Sequence, residues 1–326
     1  MIKNFFIFTF LVFFFHLLPL RAQVQLTADT TIESQIFDAR FDQELSEQMS
    51  FRISNSSPQD TVRILRCIFK NYALEDGALM SLESAQHVII DSCIFENIIG
   101  LKPGKDVHAI VCQDEGSQVV VSNSIFRNVA ADGIQLGHLR HPLESHNIRN
   151  WQITGNAFYN SGENGIDIKN VQGDIMISGN FFTGSRGCPG GTEGCSGDAG
   201  IGLVVHQGAS GVVVKGNTFY QNNRGMTVKE ARRGDIPQLI RVEDNLFYSN
   251  ISQIKEAGWG LKLDAVHGAV VSGNVFVDNH TKRDLVINDK MTRDVILKDN
   301  LFITPSDFAS RFKKSNNCPF PLIREP

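Results

Sequence analysis

Three segments of this chain end in a basic side chain after the same short alternation: Gly165-Ile-Asp-Ile-Lys169, Gly202-Leu-Val-Val-His206 and Gly225-Met-Thr-Val-Lys229. In an extended strand successive side chains point to opposite sides, so Ile166 and Ile168 turn inward while Asp167 and Lys169 turn outward. Counting through neighbouring segments gives one outward column of Val111, Gln135, Asp167, Val204, Thr227 and Lys262. A second column reads Gln113, Gly137, Lys169, His206, Lys229, Asp264 and Asn288. If these segments stack, Lys169, His206 and Lys229 lie about 5 Å apart on successive strands, where like charges repel and depress each other's pKa unless an anion sits on them. A partly neutral lysine or histidine is what a proton-abstracting base requires.

The segments leading into these strands carry Asp132, Glu163, Asp198 and Arg224, each within two residues before a repeated glycine. Asp167 lies beside Lys169, and Glu230 beside Lys229. Acidic oxygens on neighbouring strands, from Glu163, Asp167 and Asp198, are candidate ligands for Ca²⁺, which favours carboxylates and carbonyls. His138, His141 and His146 share one insertion, but Pro142 and the uneven spacing make a poor transition-metal set. The plainer reading of all these residues is a solvated face of mixed charge, with the acidic residues as turn formers.

A cationic face of this kind suits an acidic polysaccharide. In β-elimination of a uronic acid, cations neutralise the carboxylate, a base removes the acidified C5 proton, and a second group protonates the leaving oxygen. Lys169 or His206 is the candidate base, with Lys229 and Arg224 as carboxylate and oxyanion partners. Asp167 and Glu163 would orient the lysine or bind Ca²⁺. Gln135, Asp167, Asn170, Lys262, Asp264 and Glu230 are the candidate substrate contacts, and Arg232-Arg233 would grip a carboxylate. Hydrolysis instead needs two carboxyl groups flanking the bond, which Asp167 with Glu163 or Asp198 would supply. A non-catalytic module that holds a glycan along the same face is the reading from a different class.

The elements that must position these residues are legible as a repeat. Cys67, Cys93, Ser124, Asn156, Asn180, Asn217, Asn245, Asn274 and Asn300 each precede a phenylalanine by two residues, from Phe69 to Phe302, at spacings of 24 to 37. A fixed core with variable loops is the signature of a solenoid. Ile175-Met-Ile, Val212-Val-Val, Ile240-Arg-Val and Val295-Ile-Leu are short, β-branched and bounded by turn formers, and nothing in each unit has the length or period of a helix. Three short strands per unit predict an all-β, right-handed parallel β-helix of about nine coils, roughly 40 Å long. Asn tolerates the left-handed backbone of a tight turn and bonds its counterpart on the next coil. The stacked Phe side chains fill the bore, each contributing about 2 kcal/mol through burial.

The Ser-Gly-Asn-x-Phe turn and the recurring Gly-Ile strand resemble the parallel β-helix repeat of the pectate-lyase-like superfamily, from Phe51 to Phe302. That resemblance implies a fold shared by polysaccharide lyases, glycoside hydrolases, mannuronan epimerases and non-catalytic members. Glu163-Asn-Gly-Ile-Asp-Ile-Lys-Asn170 is loosely similar to the segment of chondroitinase-B and alginate lyases in which acidic side chains hold calcium and a lysine is the base. The sequence lacks the Asn-Thr-Asp, Asp-Asp, Gly-His-Gly and Arg-Ile-Lys set of polygalacturonases.

Residues 1–22 join Lys3, an apolar run from Phe5 to Leu20 and Arg21-Ala22, which reads as a secretory signal peptide and an exported product; a membrane anchor is the alternative. The expected domains are this signal, an N-terminal cap at 23–50 in which the spacing of Phe37, Phe41 and Leu45 suggests helical turns, the β-helix at 51–303, and a C-terminal cap at 304–326. Of six cysteines, Cys188 and Cys195 bracket a Gly-rich loop and are expected to pair. Cys67 and Cys93 read as small buried residues replacing Asn in the turn ladder. With a net charge of −4 and no basic stripe, nucleic acid is not the expected partner, and no membrane contact is expected once the signal is removed.

Overall fold

The computed structural model describes residues 23–55, 57, 59–113, 115–138, 147–187, 200–230, 235–251, 258–279, 283–288 and 290–303. Within them, three ten-stranded parallel sheets wind around one bore. Each coil contributes one strand per sheet, and every sheet runs in coil order, each strand pairing with the one three further along the chain. The first sheet holds Gly77–Leu82, Val107–Cys112, Ile134–Leu136, Asn164–Lys169, Ile201–His206, Arg224–Lys229 and Leu261–Leu263 among its strands, and is the face of the candidate residues.

The phenylalanine ladder does what its spacing predicts. From Phe69 to Phe302 consecutive rings stack with centroids 4.8–5.0 Å apart and planes within 13° of parallel. The ring spacing equals the rise of one coil, so no void opens between rungs.

Beside it, each ladder Asn bonds in three directions. Asn217 Nδ2 donates to Ile177 O at 2.9 Å and to Asn245 Oδ1 at 3.0 Å, while its own Oδ1 accepts from Asn180 N and Nδ2, both at 2.9 Å. A second amide ladder, Asn222, Asn250 and Asn279, runs parallel to it at the end of the third-sheet strands. Cys67 and Cys93 occupy the first rungs as buried thiols whose Sγ atoms donate to Leu65 O and Asp91 O, both at 3.3 Å.

The repeated glycine of the first sheet has a steric cause. A Cβ on Gly165 would lie 2.5 Å from Gly202 O and 2.6 Å from Phe182 Cδ1, and Gly133, Gly202, Gly225 and Gly260 meet the next coil and a ladder Phe in the same way. Only glycine lets the backbone press against both.

The stack begins earlier than the sequence reading placed it. Val24–Leu26, Thr30–Glu33 and Ile36–Asp38 form a complete first coil, and Phe37 stacks on Phe69 at 5.0 Å. The Phe–x–x–x–Phe–x–x–x–Leu spacing therefore spans a strand, a turn and then a helix, Gln43–Gln48, capped by Asp42 Oδ1 accepting from Leu45 N at 2.9 Å. Ten coils result, one more than the turn count gives, because Gln35 stands where the other coils have Asn, Cys or Ser. Residues 1–22 and 304–326, expected as signal and C-terminal cap, lie outside the described residues, as does the Cys188–Cys195 pairing.

Candidate functional site

Strand register brings the candidate columns together. Gln135 pairs with Asp167, Asp167 with Val204, Val204 with Thr227 and Thr227 with Lys262. Lys169 pairs with His206, and His206 with Lys229. These outward residues are nevertheless largely covered: Asp167 is 3% exposed, Val204 and Thr227 2%, and His206 6%.

Asp167 is the hub of a buried polar triad. Its Oδ2 lies 2.7 Å from Lys169 Nζ and its Oδ1 lies 2.7 Å from His206 Nε2. Burial pushes the Asp167 carboxyl up, but the Lys169 and His206 side chains outweigh that and hold it well below the usual carboxylate range. Lys169 moves the other way from the sequence expectation. Burial lowers it, yet Asp167, Asp132 and Glu163 more than compensate and hold the ammonium above its ordinary pKa. Repulsion between neighbouring cations does not govern here, because a carboxylate stands between them; Lys169 stays charged and is a poor base.

His206 Nε2 faces Asp167, and Nδ1 has no hydrogen-bond partner among the described residues. When Nε2 carries the proton toward Asp167, Nδ1 holds the free lone pair.

Glu163 sits at the edge of this triad, where its backbone N–H donates to Ala131 O at 3.1 Å. Burial first, then Asp132, Asp167 and Asp106, pushes its carboxyl up to about 9, so it is a neutral acid at pH 7. One coil away, Asp132 Oδ1 accepts from Asn164 N at 3.0 Å and Asn164 Nδ2 at 2.9 Å. Its Oδ2 has no hydrogen-bond partner among the described residues and lies 3.2 Å from His108 Nδ1, which accepts from Asp132 N at 3.3 Å; burial pushes this carboxyl up as well.

Among the described residues no three His, Cys, Asp or Glu side chains gather as a metal site, and both oxygens of Asp167 are engaged, by the Lys169 ammonium and the His206 imidazole. Asp198, the third member of the expected calcium set, lies outside the described residues, as do His141, His146, Arg232 and Arg233.

Of the expected substrate contacts, Gln135 Nε2 donates to Gly137 O at 3.1 Å, and Lys262 pairs with Asp264 at 3.0 Å. Asp264 also accepts from Asn288 Nδ2 at 3.1 Å. Asn170 is buried with φ of 51°, which makes it a strand-ending turn residue in place of a ligand contact. Glu230 directly follows the strand that ends at Lys229, and is part-buried. Lys229 itself is part-buried and makes no ion pair with any described residue.

Trp259, absent from the sequence-based set, stands at the other end of the face. Its Nε1 donates to Thr227 Oγ1 at 3.0 Å and Met226 O at 3.1 Å. The Arg224 guanidinium lies 4.8 Å and Lys262 Nζ 5.1 Å from its ring centroid. A signal for it existed: the residue before the repeated glycine reads Asp132, Asn164, Ile201, Arg224, Trp259, and the register makes this a column along one edge of the sheet.

Solved structures similar to this chain include DFA-IIIase from Arthrobacter chlorophenolicus A6 without its lid, at 11% identity and a TM-score of 0.48, covering 87% of this chain and 85% of that one. Alginate lyase from Paenibacillus sp. str. FPU-7 is similar at 15% identity and a TM-score of 0.39, covering 84% and 91%. The A-module of Azotobacter vinelandii mannuronan C-5 epimerase AlgE4 is similar at 11% identity and a TM-score of 0.36, covering 86% and 87%. Among curated proteins none matches the sequence. The family described as right handed beta helix region matches residues 108–302, which is more than half of the chain. With its three parallel sheets, its stacked rings and that match, the chain belongs to the right-handed β-helix family.

Proposed function

We propose that the chain is an exported polysaccharide-cleaving enzyme that acts on an acidic, uronate-containing glycan laid across the first sheet. One observation carries this reading: Glu163, a part-buried carboxylic acid neutral up to about pH 9, sits beside the Asp167–Lys169–His206 triad. Two carboxyl groups whose surroundings drive their pKa values apart are the arrangement that acid–base chemistry needs.

In β-elimination, Glu163 protonates the leaving glycosidic oxygen. His206, oriented by Asp167 through Nε2, removes the C5 proton through Nδ1, and the Lys169 ammonium beside it offsets the charge of the substrate carboxylate. His206 is 6% exposed, so the side chains over it must yield when substrate enters. Epimerisation uses the same proton abstraction, with a proton returned to C5 from the opposite face and the leaving group kept. Hydrolysis is the second reading, favoured by the contrast between neutral Glu163 and ionised Asp167 as acid and carboxylate.

The test is a panel of alginate, pectate, chondroitin, heparin and glucuronan, assayed for the ultraviolet absorbance of unsaturated uronate and, separately, for saturated reducing ends. Absorbance that disappears in Glu163→Gln and His206→Ala supports elimination. Saturated ends that disappear in Glu163→Gln and Asp167→Asn support hydrolysis. Binding without either product makes the chain a glycan-binding module and overturns the enzyme reading.

A further inference from the structure

The edge column of the first sheet changes chemical character from one end to the other. At the N-terminal end lie His108, Asp132 and Asn164; toward the C-terminal end lie Arg224 and Trp259. Two cations of the face lie over that tryptophan. Arg224 lies on its ring, Lys262 lies on its ring from the next outward column, and Lys229 projects one strand position beyond Val228, in register with His206.

Trp259 is not free to move away. Its Nε1–H is fixed by Thr227 Oγ1 and Met226 O, and its backbone O accepts from Gly225 N at 2.9 Å. A cation over an indole face is attracted by the ring quadrupole, so the ring holds two positive side chains close together without neutralising either. Asp264 offsets Lys262 at 3.0 Å, and Lys229 has no ion-pair partner among the described residues. Two positive groups therefore face one anchored ring, and Lys229, at the far end of the strand that begins at Arg224, adds a third cation with no ion-pair partner among the described residues, an arrangement that favours an incoming anion.

We propose that Trp259, with Arg224, Lys229 and Lys262, forms an anion subsite that takes the carboxylate or sulfate of a sugar two to three coils from Glu163. This rests on the glycan reading and deepens it. The strands of Glu163 and Arg224 are two coils apart, about 10 Å along the axis, and that of Trp259 is a third coil away, about 14 Å. The anionic sugar recognised at Trp259 is then a different unit from the one cleaved at Glu163, and the subsite sets both substrate class and register.

The experiment measures binding to the Glu163→Gln protein, where turnover is off, so the subsite is read independently of catalysis. The probes are hexasaccharides of galacturonate and of mannuronate, their carboxyl-reduced neutral counterparts, and a chondroitin sulfate hexasaccharide. The expected result is at least tenfold tighter binding of an acidic probe than of its neutral counterpart. Lys229→Ala should remove most of that difference, and affinity for the acidic probe should fall with added salt. Trp259→Phe keeps an aromatic ring while losing the Nε1 bonds, and is expected to weaken acidic probes several-fold with neutral probes unchanged. Preference for the sulfated probe assigns sulfate; preference for the uronates assigns carboxylate. Equal binding of acidic and neutral probes, Lys229→Ala without effect, or no binding of any probe overturns the subsite. Acid-selective binding in a wild-type protein that cleaves nothing would overturn the enzyme reading and leave the subsite standing.

Discussion

Asp167 Oδ1 and His206 Nε2 lie 2.7 Å apart although 39 residues separate them in the chain. They meet because one coil of solenoid places them diagonally across adjacent strands, with Asp167 opposite Val204 and Lys169 opposite His206. A single carboxylate thereby binds a cation on its own strand and the imidazole on the next.

Removing that carboxylate should be costly. Asp167→Asn leaves the Lys169 ammonium buried without its counter-charge, and loss of one partner of a buried pair costs about 3–5 kcal/mol. Urea denaturation at pH 7 should show a drop of this order. The pH dependence follows from the directions of the shifts. Asp167 is depressed, so its contribution is present above the ordinary carboxylate range and lost as pH falls through its low folded pKa. Lys169 is raised, so its contribution holds below about 10.4, its unfolded pKa, and is lost as pH climbs through the folded one. Wild type should outlast Asp167→Asn most clearly across the plateau between these limits, and the gap should narrow at both ends.

Glu163 behaves in the opposite sense. Its folded pKa of about 9 exceeds the unfolded value, so the native state binds the extra proton and stability falls as pH rises from the carboxylate range toward 9. Glu163→Gln removes that liability, and the variant should gain about 1 kcal/mol or more at pH 8, and less at pH 5. In the same variant kcat should fall by roughly 10²–10⁴, the usual range for a lost general acid, and the alkaline limb of the wild-type profile near pH 9 should vanish. A stability loss at pH 8, or an unchanged alkaline limb, would contradict the assignment.

The first-sheet glycines offer a steric test. In Gly165→Ala the new methyl meets Gly202 O and Phe182 at 2.5 and 2.6 Å, so the coil must shift, at a cost of about 1–3 kcal/mol. Gly173→Ala, where nothing lies within 4 Å but φ is +87°, isolates backbone strain without a clash. Thermal melts of the two variants should separate packing from conformation, with Gly165→Ala the less stable.

Asn217→Ala removes a buried amide that serves three coils. Its own bonds to Ile177 O and Asn245 Oδ1 go, and the Asn180 amide loses its acceptor. With about 1–3 kcal/mol for each buried group left unsatisfied, a loss of at least 3 kcal/mol is expected in chemical denaturation. Asn217→Ser, which keeps an oxygen at the rung as Ser124 does, should recover part of it.

The fold was legible because its determinants are local and repeated. Asn, Gly and Phe recur at fixed offsets, and each has one physical task per coil. Strand alternation also placed the outward columns correctly, since register in a solenoid follows from that offset. What alternation could not supply was the sign of the electrostatics. Lys169 and His206 look like repelling neighbours on a list of columns; only the side-chain geometry shows Asp167 bridging them. Trp259 escaped because it precedes its strand, where alternation says nothing, and its role depends on cations from two other positions. The first coil was missed for a related reason: Gln35 replaces the turn residue, which hid Phe37 from the count.

The asparagine ladder does not run the length of the molecule. Its amides run from Asn156 to Asn300; before them Ser124 Oγ accepts from Cys93 N at 3.0 Å, and Cys67 and Cys93 place thiols on the first rungs. The amide bonds also share one sense, backbone N–H of one coil to Oδ1 of the next, so each coil is held from its C-terminal side. The N-terminal coils are braced at another corner, where Asn160, Asn128, Asn97 and Asn71 pass Nδ2–Oδ1 bonds from coil to coil down to Asp38. Every coil boundary from Phe37 to Phe302 thus carries a side-chain amide bond, so opening a coil anywhere breaks a polar rung as well as rings and sheet.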